Sequence, residues 1–466
     1  MKRSILKEIS WPEFGGNTSP VNFTADELNV RMNRTHEMME KDHLTHLIIY
    51  ADKEHFANLK YLLNYEPKFE EAVLVINLKD DPLILMGNEC VNRFKASPLY
   101  QVNKLRTERF QPFSLLNQPK NDSRYLKDIF TAEGINAESR IGCVGWKYFS
   151  EKEHPSAEHA IEIPAYIVDT LREITGYNQV VNATHIFMNP DHGLRARCTA
   201  SEIAFFEFSG IMSSEGMKNL LHHIKPGQTD FELVRSYNYT GYPLSCHIGM
   251  TCGSNRHIGL ANPEGYIIRR GDPLSTSIGY WGSLNCRAGW IAESENDLPE
   301  EAKGYVEKFA APFFSVMGEW FKNLRIGTKG KILASIIDDN LPFEEFGIYL
   351  NPGHLIHFEE WLSSPVYKGS ESPLESGMYF QVDVIPKSKR FFSTRMEDGV
   401  VLADKTLRDE LKLKFPFVYQ RCMSRRKFMM EILNIELPDE LLPISNIPAI
   451  VPPYFLRPDL ILTLEG

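Results

Sequence analysis

The sequence predicts two domains of mixed structure, an α/β domain over residues 1–190 and an α+β domain with an antiparallel sheet over residues 191–405. A further helix and a proline-punctuated tail, residues 406–466, are expected to pack on the second domain. Three observations carry this expectation. The chain has 466 residues, and a single core stops growing at roughly 250–300 residues. The turn-forming stretch Asn189-Pro190-Asp191-His192-Gly193 marks a boundary. From Gly347 to Ala403 the pattern changes to short apolar or alternating runs broken by Gly and Pro, as antiparallel strands require.

The elements follow in order. Thr24, with Asp26 and Glu27 in the first turn, starts a helix that runs to Leu44 and carries Leu28, Met32 and Met39 near helical spacing. The apolar runs Leu47–Tyr50, Ala72–Ile76 and Pro82–Met86 read as strands, the last two joined by a Lys-Asp-Asp turn. Ile141–Val144 is strand-like and Ala165–Ile174 helix-like. After the boundary, Ser201–His223 is a long helix, stopped at Lys225-Pro226-Gly227 and followed by a second start at Gln228-Thr229-Asp230. Tyr305–Leu324 is another helix, Leu407–Leu433 is mostly helical, and Leu442–Pro458 is expected to lie extended on the surface.

Composition excludes several functions. With 43% hydrophobic and 24% charged residues the chain reads as a globular, soluble protein. A formal charge of −10 argues against nucleic-acid binding, which needs a basic footprint to displace counterions. The clusters Arg425-Arg426-Lys427 and Lys387 to Arg390 are expected to be solvated surface. Met1 to Ile9 lacks the apolar core of a secretory leader, and no apolar run reaches the ~18 residues of a membrane span. The seven cysteines are scattered with no C-x-x-C pair, so reduced thiols in a cytoplasmic protein are expected.

Three motif blocks point to a function. The first is Cys252-Gly253-Ser254-Asn255-Arg256-His257, and the second is Arg270-Gly271-Asp272-Pro273-Leu274-Ser275-Thr276-Ser277. The third runs from Asn351-Pro352-Gly353-His354 through Pro373-Leu374-Glu375-Ser376-Gly377-Met378 and Asp383 to Arg395-Met396-Glu397-Asp398-Gly399-Val400. In this order they resemble the creatinase, aminopeptidase P and prolidase family. Two looser matches are Arg195 with Glu202-Ile203 and the Lys225-Pro226-Gly227-Gln228-Thr229 corner. The resemblance covers about residues 25–405 and implies a creatinase-type N-terminal α/β domain followed by a "pita-bread" domain. It also implies a homodimer and a small-molecule or peptide substrate.

Peptidases of this fold hold two divalent ions with two aspartates, a histidine and two glutamates. By the resemblance, His354 is the histidine, and Asp383 and Glu397 are the later carboxylates. The first aspartate position falls on Ser277, and the second, counted back from Arg287, falls on Leu284 or the neighbouring Asn285. Neither position carries charge, so no metal cofactor is expected. A single Mn, Fe or Zn ion on His354, Asp383 and Glu397 is chemically compatible. A deletion after His354 would place His357 and Glu359 at the site, leaving Trp361 outside the histidine slot.

Creatinase, of the same fold, needs no metal and uses a histidine as acid and base, which His257 matches. The resemblance therefore implies metal-independent hydrolysis of a C–N bond in a small nitrogenous or peptide-like substrate, with His257 as proton shuttle, with Asp383, Glu397 and Glu359 binding a cationic substrate and orienting it for attack by water, and with Arg395 among the site residues. Two alternatives stand beside it: an inactive pita-bread module that binds a peptide or protein, and a metal-dependent Xaa-Pro aminopeptidase or dipeptidase.

Overall fold

The computed structural model describes residues 1–16 and 19–466. They form two compact units, Asn22–Arg195 and the combination of Met1–Val21 with Ala196–Gly466. The first strand, β1 (Ser4–Glu8), belongs to the second of these and is taken up with it.

Unit 22–195 is built on a six-stranded mixed sheet. Its strands are β2 (His46–Ala51), β3 (Ala72–Asn77), β4 (Leu83–Met86), β5 (Arg106–Arg109), β6 (Ile141–Val144) and β7 (Val180–Asn182), in the order β5-β4-β3-β2-β6-β7. The strand β2 is buried along its whole length, which is why its sequence is a continuous apolar run rather than an alternation. The helix Ala25–Lys41 starts as the sequence predicts. Thr24 and Glu27 close a capping box, and the face carrying Leu28, Met32 and Met39 is buried.

The named strands of the larger unit pair antiparallel. One sheet has the order β13-β10-β9-β8, from β8 (Gly249–Cys252), β9 (Pro273–Tyr280), β10 (Ser283–Trp290) and β13 (Arg395–Glu397). A second has the order β11-β12-β14-β15, from β11 (His354–Leu355), β12 (Tyr379–Gln381), β14 (Gly399–Leu402) and β15 (Leu441–Pro443). The helix Ala200–His223, capped by Thr199 and Glu202, is buried on most sides against this unit's interior. Its apolar residues accordingly surround the helix instead of forming one stripe.

Three expectations are corrected here. The first 21 residues do not fold with the α/β domain, because β1 pairs antiparallel with β16 (Leu460–Leu464) at the far end of the chain. The tail is not a surface strap: Leu441–Ala449 and the segment to Phe455 are buried. The Arg425-Arg426-Lys427 cluster is not solvated as a whole. Arg425 is fully buried, bonded to Glu207 at 2.7 Å and to Asn446, and Arg426 donates to the carbonyls of Pro438 and Leu441. A buried guanidinium needs such partners, since its several donors would otherwise be stranded. Among the described residues no helix is long and apolar enough to cross a membrane, and all seven cysteines are free.

Candidate functional site

The site is organised by one row of residues across a sheet. Gly249, Ser277, Cys286 and Glu397 are successive cross-strand partners on β8, β9, β10 and β13. Side chains in one such row share a face. Two residues along, the same face carries Thr251, Ser275, Ala288 and Arg395. Cys286 is thus the residue opposite Ser277, and it receives a hydrogen bond from Arg395 Nη1 at 3.3 Å.

The position expected at Leu284 pairs with Gly279, one step nearer the turn. The alternative, Asn285, lies on the opposite face of the strand, where it bonds Ser213, Asp398 and Ser445.

The second sheet brings His354. This side chain is fully buried at the start of β11, with Nδ1 at 3.1 Å from the Leu355 carbonyl and Nε2 at 3.2 Å from Glu360 Oε1. Asp383 Oδ2 lies 3.8 Å from the same nitrogen. The indole of Trp361 covers the imidazole, with ring centroids 4.1 Å apart. Burial works against a charged imidazole, but the Glu360 and Asp383 carboxylates outweigh it and hold the His354 pKa above its ordinary value. His354, Glu360 and Glu397 offer ligand atoms within 4.8 Å of one another, so they are a group that could hold one cation.

Burial and the proximity of Asp383 push Glu397 well above the usual carboxylate range. Asp383 is also raised by burial, against the attraction of His354. The charge of Asp383 is among the causes that raise Glu397, so burial disfavours ionising both carboxyls at once. Cys246 belongs to the same neighbourhood, its thiol pushed up to about 12 by burial and by Glu360 and Glu397.

These shifts fix the sign of a pH dependence. Glu397, Asp383 and His354 all have folded pKa values above their ordinary ones, so the folded state binds the extra protons. The stability they contribute is complete at low pH and is lost as pH rises through the raised values. The thermal midpoint of the larger unit is expected to fall as pH is taken up from the ordinary carboxylate range into the alkaline range. Glu397→Gln, which keeps the neutral form, should flatten that slope in a calorimetric pH series.

The structure gathers His354, Asp383, Glu397 and Arg395, with His357 set against the 200–223 helix. His357 is buried with Nε2 at 3.3 Å from Glu202 on the 200–223 helix, packed edge-on against Phe206. Glu359 is buried, and it is the next residue, Glu360, that reaches His354. An antiparallel bridge from Leu355 to Ser363 turns the segment back on itself and lays Glu360 and Trp361 over the imidazole. His257 is exposed and accepts from Arg256 Nε at 3.2 Å. It lines a cavity of about 470 Å³ whose wall also includes Ser275, Ser277, Cys286 and Arg395. The cavity therefore meets the acid group at Cys286 and Arg395, and His257 lines the same cavity.

Solved structures share this architecture. The prolidase from Pyrococcus horikoshii OT3 superposes with a TM-score of 0.62 at 14% identity, over 80% of this chain and 96% of that one. The fold is that of these peptidases. Dipeptidase PepE from Mycobacterium ulcerans matches with a TM-score of 0.62 at 17% identity, covering 82% of this chain and 95% of its own. The X-Pro aminopeptidase from Thermotoga maritima MSB8 matches with a TM-score of 0.59 at 16% identity, covering 80% and 95%. No family model and no curated protein matches the sequence. The expected α/β domain followed by an antiparallel pita-bread domain is thus the fold observed.

Proposed function

We propose that the chain hydrolyses a C–N bond in a small nitrogenous or peptide-like substrate, using its buried carboxyl groups for proton transfer instead of a two-ion centre. The observation that carries this reading is the grouping of buried His354, Asp383 and Glu397 with the half-buried Glu360. Burying His354, Asp383 and Glu397, with Glu360 half-buried beside them, costs folding free energy, and proton transfer between Asp383 and Glu397 would give that cost a use.

The roles follow from position. Of the pair Asp383 and Glu397, the charged member accepts a proton from water as the water oxygen bonds to the substrate's carbonyl or amidine carbon. The neutral member or His257 delivers a proton to the departing nitrogen as the C–N bond breaks. Arg395 faces the charge that develops on the carbon's other substituent.

Two adjacent dications need anionic oxygen ligands to offset their repulsion. In the row beside Glu397 the hairpin offers the Ser277 hydroxyl and the Cys286 thiol, with the Arg395 guanidinium 3.3 Å from the sulfur, and the position expected at Leu284 is apolar. That donor set does not suit a second ion. One divalent ion fits His354, Glu360 and Glu397, where it would polarise the scissile carbonyl and acidify a bound water.

The test is turnover of a panel of Xaa-Pro dipeptides, N-acyl amino acids and guanidino compounds, with excess chelator and with added Mn²⁺ or Zn²⁺. Hydrolysis that survives chelation supports the reading. Saturable binding without product would establish a binding module instead, and turnover only with about two ions per chain would establish the metallopeptidase. Metal analysis after incubation with Mn²⁺ or Zn²⁺ is expected to find no more than one ion per chain, and none in His354→Ala.

A further inference from the structure

We propose that the cavity beside Cys286 and Arg395 binds an organic anion, with an acid group on a cationic rim and an apolar body below it. The inference rests on the hydrolase reading only in calling that ligand the substrate, which then becomes an acid-bearing amide.

Charge carries the first half of the argument. The chain has 51 basic and 61 acidic residues, yet the wall of this cavity holds Arg256, Lys387, Lys389, Arg390 and Arg395 against the single acid Glu301. Elsewhere, exposed arginines such as Arg106, Arg124 and Arg270 are held by carboxylates at 2.5–2.8 Å. At the cavity, among the described residues, none of Arg256, Lys387, Lys389 and Arg390 has an acidic partner. Among the described residues the Arg390 guanidinium donates to the backbone carbonyls of Glu301 and Lys303, and that of Arg256 to His257. Unpaired cations around a concave wall focus a positive potential into it and raise the local concentration of anions.

Exposure carries the second half. Ile258, Leu260, Tyr349 and Leu350 are 57%, 86%, 73% and 44% exposed, and all four line this one cavity. Single exposed apolar side chains need no explanation, whereas several converging on a cavity mark a surface that is covered in use. Trp290 and Phe392 add aromatic area to the lining. A cavity of about 470 Å³ is within the size range that encloses a small molecule. A neutral apolar ligand would leave the cations unused, and a bare inorganic anion would leave the apolar side chains in water.

The experiment is calorimetric titration of the full chain with N-acetylphenylalanine, its neutral counterpart N-acetylphenylalaninamide, and phenyl phosphate, at low and high ionic strength. The acid is expected to bind at least about tenfold more tightly than the amide, the gap closing as salt screens the rim. The charge-reversing double variant Lys387→Glu, Lys389→Glu should weaken the acid at least about tenfold and leave the amide unchanged. Because both lysines are exposed, the fold should persist, and the neutral Lys387→Gln, Lys389→Gln variant should show an intermediate loss. Tighter binding of phenyl phosphate than of the acid would make the natural head group a phosphate, and the reverse a carboxylate. Equal affinity for acid and amide, no binding of either anion, or an unchanged affinity in the charge-reversed variant would overturn the proposal. Preferential binding of the anion without any turnover would overturn the hydrolase reading alone.

Discussion

Asp398→Ala is expected to destabilise the larger unit by about 3–5 kcal/mol, the range for breaking one side of a buried ion pair. Asp398 and Arg287 are each 1% exposed and joined at 2.8 Å. The same carboxylate accepts from Asn285, Ser445 and the Ala449 backbone N–H. One side chain thus ties the β13–β14 corner to β10 and to the buried tail. Alanine would strand the guanidinium of Arg287 in the interior, with only the carbonyls of Cys286, Glu397, Ile447 and Ile450 left to it.

Urea unfolding followed by tryptophan fluorescence reads this unit, since Trp11, Trp281, Trp290, Trp320 and Trp361 lie in it and only Trp146 lies in the other. A loss below about 1 kcal/mol would mean that Arg287 finds water or new partners once its carboxylate is gone. The double variant Arg287→Leu, Asp398→Leu should cost less than Asp398→Ala, because no charge is then left behind. An equal or larger cost would assign the effect to packing.

This pair also shows where local pattern stops being informative. Arg395-Met396-Glu397 and Gly353-His354 are legible because their chemistry is carried by a few neighbouring residues on short strands. Cys286 is harder to find, since counting back from Arg287 lands on Leu284. The register is instead set by the tight turn at Trp281-Gly282, where Gly282 has φ +80° and Tyr280 pairs with Ser283. Counting outward from that turn, as hairpin geometry requires, reaches Ser277 opposite Cys286. Gly282 was therefore the available signal.

Glu360 had no such signal. The segment 356–363 has neither helical nor strand periodicity, and the reach of Glu360 to His354 depends on the backward bridge between Leu355 and Ser363. Arg425 reads as surface because its carboxylate partner is remote in sequence, and Arg426 because its partners are backbone carbonyls, which no side-chain pattern reveals. Glu207 stands 218 residues from Arg425, and a charge cluster says nothing of a carboxylate that arrives from another helix. The burial of the tail is hidden for the same reason: Ser445 and Asn446 are polar, and their partners, among them Asp398, Asn285, Arg425 and Glu215, lie elsewhere in the chain.

Glu397→Gln is expected to lower turnover by about 10²- to 10⁴-fold, the usual contribution of a positioned acid or base. The amide matches the shape of the neutral carboxyl that burial favours in Glu397, so folding should be preserved and substrate affinity nearly unchanged. What it cannot do is exchange a proton with Asp383. The loss should therefore appear in kcat and not in KM, because only the transition state needs the proton moved. Asp383→Asn should show a loss of the same order, and the double variant should be little worse than either alone, since two carboxyls that exchange a proton act as a unit. If Glu397→Gln kept activity within about threefold while His257→Ala lost it, the chemistry would lie on the exposed wall of the cavity and the buried acids would serve only to hold Arg395. Multiplicative losses in the double variant would mean separate roles for Asp383 and Glu397, and proton exchange between them would then have no part in the reaction.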